Sequence, residues 1–93
     1  MRSPQDKIKN IYMEQDPFND IFRDSLIELL GDRRILIENH KGISSYDPCR
    51  IDLCVSYGVI EVWGQNLTIS YISQDRVVIH GKICQLTLNR GET

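Results

Sequence analysis

From Leu26 onward, apolar residues recur with a period of two. Ile27 and Leu29 precede Gly31-Asp32, and Ile35 and Ile37 follow, which is the pattern of a hairpin with one apolar face. Asn39 to Gly42 reads as a turn. Ile43 to Tyr46 reads as a short strand closed by Asp47-Pro48. Between Arg50 and Val55 the alternation is clean: Ile51, Leu53 and Val55 face one way, Asp52 and Cys54 the other. After a turn at Tyr57-Gly58, Ile60 and Val62 lead into Gly64-Gln65-Asn66, and Leu67, Ile69 and Tyr71 lead out. Ser73-Gln74-Asp75 is a further turn. Val77 and Ile79 then lead into Gly81-Lys82, with Leu86 and Leu88 beyond. This spacing predicts a mainly β chain: a single small domain of about seven or eight short antiparallel strands, as a rolled sheet, a sandwich or stacked β layers.

The first residues follow another pattern. Ile8, Ile11 and Tyr12 stand three and four apart, as do Phe18, Ile21 and Phe22, with Asp16-Pro17 between the groups. A short N-terminal helical segment is predicted, with its apolar stripe covering an open end or face of the sheet or meeting a partner. The chain therefore divides into residues 1–16, a polar N-terminal segment expected to be partly mobile, and residues 17–89, the β domain.

One device recurs within the domain. Ile27 to Gly31, Ile60 to Gly64 and Val77 to Gly81 each read apolar-x-apolar-x-Gly. Gly31, Gly42, Gly64 and Gly81 are predicted to set turns or bends, the last two by positive φ. Trp63, Val59, Val78, Tyr57 and Ile72 fall out of phase with the inward set. They form either a second buried layer or an exposed patch. On this basis Trp63, Tyr57, Asn66 and His80 are the candidate interaction residues.

Composition narrows the chemistry. The formal net charge of −2 argues against a general nucleic-acid binder. No run approaches the roughly 18 apolar residues of a membrane span, so direct membrane insertion is not expected, and no signal-peptide core precedes the domain. Cys49, Cys54 and Cys84 suit a reduced, cytosolic setting better than a disulfide framework. His40 and His80 lie in separate segments without ligand-spaced neighbours, so no metal site is predicted. The serines lack a nucleophile-elbow setting, Asp52 and Glu61 read as isolated solvated carboxylates, and no phosphate-binding glycine loop is present. Neither catalytic residues nor a cofactor is expected.

Three pieces read together carry more. Arg34-Ile35-Leu36-Ile37-Glu38-Asn39-His40-Lys41-Gly42-Ile43, then Trp63-Gly64-Gln65-Asn66-Leu67-Thr68-Ile69, then Val78-Ile79-His80-Gly81-Lys82-Ile83 resemble the YabP/YqfC family of sporulation proteins. The "IENHKGI" run is closest to the YqfC branch. The resemblance implies a non-enzymatic protein of an endospore-forming bacterium, acting in the mother-cell cytoplasm during spore development. It further implies a membrane-anchored sporulation partner of the YqfD type, which would hold the chain peripherally at a membrane. Self-assembly into a homo-oligomer is a related expectation. The alternative is a β module that binds a cell-wall glycan by stacking sugar rings on Trp63, Tyr57 and Tyr71.

Overall fold

In a computed structural model, residues 24–91 are described. They form one six-stranded antiparallel sheet: β1 (Leu26–Leu30), β2 (Arg34–Glu38), β3 (Ile43–Asp47), β4 (Arg50–Val55), β5 (Gly58–Ile72) and β6 (Arg76–Arg90). Strand order across the sheet is β1-β2-β6-β5-β4-β3. Among the described residues there is no helix, hence none long and apolar enough to cross a membrane. The predicted N-terminal helical segment lies outside the described residues.

The mainly β expectation stands, but the strand count is lower than predicted. Gly64-Gln65-Asn66 and Gly81-Lys82 are not turns. Each lies within a continuous 15-residue strand. β5 and β6 pair along most of their length, from Gly58 opposite Arg90 to Ile72 opposite Val77, with register shifts near Gly64, near Asn66 and at Ser70. An extra residue on one strand bends the pair and strengthens its twist. The sheet therefore has two halves. In one, β4 and β3 extend the first part of β5, and in the other, β2 and β1 extend the first part of β6.

The inward rows follow from register. Ile43, Leu53, Ile60 and Leu88 form one row, and Ile27, Ile37, Val77 and Ile72 form another. Ile35, Ile37, Val77 and Ile79 from one half join Ile51, Leu53, Ile60 and Val62 from the other in a single core, each of them fully buried. At about 25 cal/mol per Å² this apolar burial is the main favourable term in so small a chain. The shift at Ser70 corrects one expectation. Tyr71 leaves the inward set of Leu67 and Ile69 and turns outward, while Ile72 takes its place in the inner row.

Local chemistry sets the turns. The Asp47 carboxylate accepts a hydrogen bond from Cys49 N at 2.9 Å, closing the β3–β4 turn. Ser73 O–H donates to Asp75 at 3.1 Å in the β5–β6 turn. Buried His40 clasps two connections together. Its Nδ1 accepts from Gly42 N at 2.9 Å, which leaves Nε2–H to donate to the Ser73 carbonyl at 3.0 Å.

The glycines at the bend act by two mechanisms. Gly81 has φ +141°, and a Cβ there would lie 2.7 Å from the Asn66 carbonyl oxygen. Gly64 is not in the positive-φ region, contrary to the sequence prediction. It is required by close approach, because a Cβ would overlap the Lys82 carbonyl oxygen. Gly81→Ala is expected to cost about 1–3 kcal/mol from backbone strain, and Gly64→Ala about 1–3 kcal/mol from overpacking. Urea denaturation checks both, and a wild-type midpoint in either variant contradicts the assignment. His40→Ala is expected to cost about 1–3 kcal/mol, since it strands two backbone groups in a part-buried site. The same titration measures it.

Candidate interaction surface

The two halves of the sheet are related by an approximate twofold, which the sequence carries only as recurring glycines. The β1–β2 turn abuts the bend of β6: Gly81 N donates to Arg33 O at 3.2 Å and Ile83 N to Asp32 O at 2.7 Å. The β3–β4 turn abuts the bend of β5 in the same way, with Gly64 N donating to Cys49 O at 3.0 Å and Leu67 N to Pro48 O at 2.8 Å. Arg34 stands opposite His80 as Arg50 stands opposite Trp63. The sequences agree with this relation, Arg34-Ile35-Leu36-Ile37 matching Arg50-Ile51-Asp52-Leu53 and His80-Gly81 matching Trp63-Gly64. Gly31 lies outside it, as an ordinary left-handed turn residue with φ +56°.

The outer face of the β4–β5 half carries a closed polar network. Arg50 Nε donates to Asp52 Oδ1 at 2.8 Å and its terminal nitrogen to Oδ2 at 2.9 Å, a fork-on-fork pair. The guanidinium carbon lies 4.4 Å from the Trp63 ring centroid. Trp63 Nε1–H donates to Glu61 at 3.1 Å, and Asn89 donates to the other Glu61 oxygen at 3.3 Å. The Asp52 hydrogen bond, with the Asp52 and Glu61 charges, holds the Arg50 guanidinium above its ordinary pKa against a smaller desolvation effect. Trp63 is thus half-buried beneath a paired arginine, and Asp52 and Glu61, read from sequence as isolated carboxylates, are both engaged.

The matching face of the β2–β6 half differs. Leu36 replaces Asp52 at the equivalent position, and Val78 replaces Glu61. Leu36, Val78 and Tyr71 line up across β2, β6 and β5, forming the floor of a groove of about 640 Å³ with Glu28, Leu30 and Arg34. Leu30 and Tyr71 are about half exposed. Arg76, which also lines this groove, pairs with Glu38 at 3.0 Å. Among the described residues Arg34 has no ion-pair partner.

The sequence-predicted residues do not converge. Trp63 lies in the polar network. Tyr57 lies in the β4–β5 turn, where its hydroxyl hydrogen-bonds Ser25 at 2.9 Å. Asn66 is the exposed, left-handed residue of the β5 bulge, with φ +52°. His80 lies on the groove side, beside Leu30, Arg33 and Arg34. The three aromatics of the glycan alternative are likewise divided between two faces and a turn. Gly42 has φ +122° in the β2–β3 connection. Among the described residues no three His, Cys, Asp or Glu side chains converge as a metal site.

Two edges complete the surface. Beyond Ile83, β6 has β5 on one side and no described strand on the other, and beyond Leu67 the same holds for β5. Cys84 to Asn89 and Thr68 to Ile72 contain no charged residue and no proline, the usual protections of a free edge. Ile72 is 53% and Leu88 54% exposed.

Arg50→Met is expected to lower the unfolding midpoint, because Asp52 is buried and loses its partner. Its counterpart Arg34→Met orphans no described carboxylate and should stay within about 0.5 kcal/mol. Equal losses by thermal or urea unfolding would contradict the distinction between the two faces.

No curated protein and no solved structure matches this chain. The YabP family model matches residues 23–93, which takes in every described strand, the bend and both hairpin turns that abut it. The chain belongs to the YabP family.

Proposed function

We propose that this chain is a non-enzymatic sporulation protein of the YqfC branch, which works in the mother-cell cytoplasm through protein–protein contacts or self-assembly. The proposed partner is a membrane-anchored sporulation protein of the YqfD type, which would place the chain peripherally at a membrane. Family membership supports the sporulation setting, and the "IENHKGI" run supports the branch.

The observation that carries the contact role is the uncharged free stretch Cys84 to Asn89 of β6, with Thr68 to Ile72 of β5 as a shorter, bulged companion. An unpaired strand offers a row of backbone donors and acceptors to an added strand, and side chains beside the row give selectivity. Natural edges meant to stay unpaired are short, or carry charge, proline or bulges. β1 and β3 conform: each has five residues, β1 carries Glu28, and β3 ends at Asp47 before Pro48. Cys84 to Asn89 of β6, six uncharged residues before Arg90, is the least protected of these edges, whereas the free part of β5 has five residues and a bulge at Ser70.

The test uses the full chain, recovered with its contacts from sporulating cells, beside an Ile72→Lys/Leu88→Lys variant. Both positions are already half exposed, so the fold should tolerate lysine. Recovery of a membrane-anchored protein, or an oligomer by light scattering, is expected for the wild type and should fall at least about tenfold in the variant. A wild-type protein that is strictly monomeric and brings down no membrane protein would sink this reading.

A further inference from the structure

The approximate twofold shows what the β2–β6 face lacks. On the other half, Arg50 is neutralised by Asp52 and Glu61. Here Leu36 and Val78 occupy those positions, so Arg34 sits beside an apolar floor with no described carboxylate partner. A complementary ligand needs large apolar side chains for Leu36, Val78 and Tyr71, and a carboxylate for Arg34.

One segment of this chain has that chemistry. Residues 13–22, Met-Glu-Gln-Asp-Pro-Phe-Asn-Asp-Ile-Phe, carry Glu14, Asp16 and Asp20 together with Phe18, Ile21 and Phe22, and no lysine or arginine. The described chain begins at Asp24, two residues before β1, and Glu28 and Leu30 of β1 border the groove. Ten residues span up to ~33 Å when extended. The outer face alongside β1, from Leu26 to Leu30, needs only about 13 Å. Glu28, also in the groove and opposite Leu36, disfavours a ligand acidic throughout and suits one that is apolar there and acidic at Arg34.

We propose that residues 13–22 dock in the groove of the same molecule. Phe18, Ile21 and Phe22 lie over Leu36, Val78 and Tyr71, and a carboxylate of Glu14 or Asp16 takes the Arg34 partnership that Asp52 supplies to Arg50. The segment then covers an apolar floor and completes the polar pattern of the opposite half. This occupancy is separate from the β6 edge contact proposed above, since Cys84 to Asn89 form no part of the groove, and it meets the β5 edge only at Tyr71.

The experiment places the photo-crosslinker p-benzoylphenylalanine at Tyr71 or, separately, at Glu28 in the full chain. Both positions are exposed, and the first substitution is conservative in shape. Near-ultraviolet circular dichroism of Trp63, on the other half, reports folding. Illumination is expected to join either position to residues 13–22 within the monomer, and Arg34→Glu should reduce that yield several-fold. Cross-links to residues 13–22 only in covalent dimers would overturn same-chain docking in favour of exchange between copies. Absence of any product with residues 13–22 from both positions would overturn the proposal. A yield unchanged by Arg34→Glu would remove the carboxylate pairing.

Discussion

The structure depends on one close approach. β5 and β6 run side by side through their bend with backbone almost touching backbone. Gly64 lies against the Lys82 carbonyl, and Gly81 lies against that of Asn66. With a Cβ at either place the strands would have to part, and the inward rows on the two sides of the bend could not face each other. Among the described residues, ten buried apolar side chains drawn from both halves make up the core. Neither half has apolar residues enough to stand alone, since a chain of this size leaves a large fraction of its surface in water.

The approximate twofold explains how so short a chain closes. The same device is used twice: a hairpin, its turn hydrogen-bonded to a bending strand, and a glycine at the bend. Where the halves differ, the difference lies on the outer face. One side spends Asp52, Glu61 and Trp63 on holding Arg50. The other presents Leu36, Val78 and an Arg34 with no carboxylate partner among the described residues. Departures from internal symmetry that cost packing nothing are natural places for function.

Much of this was legible in the sequence. Period-two alternation located the inward residues of β2, β4 and the first parts of β5 and β6, because burial on one face of a strand forces it. Gly31-Asp32 and Asp47-Pro48 marked true turns. Gly64-Gln65-Asn66 and Gly81-Lys82 carry the same residue types, yet they bend continuous strands. Glycine signals backbone freedom without saying whether the chain reverses, and long-range pairing decides. The outward Tyr71 was missed because one extra residue at Ser70 changes every later phase. The Arg50 network was missed because Asp52 and Glu61 become neighbours only across a strand pair.

The central claim is that the bent β5–β6 pair makes the two halves one cooperative unit. Native-state amide hydrogen exchange tests it most directly. Buried amides of Ile35 and Ile79 in one half should exchange with the same opening free energy as those of Leu53 and Val62 in the other, equal to that of global unfolding. Two distinct free energies, with one half opening while the other stays closed, would contradict the account.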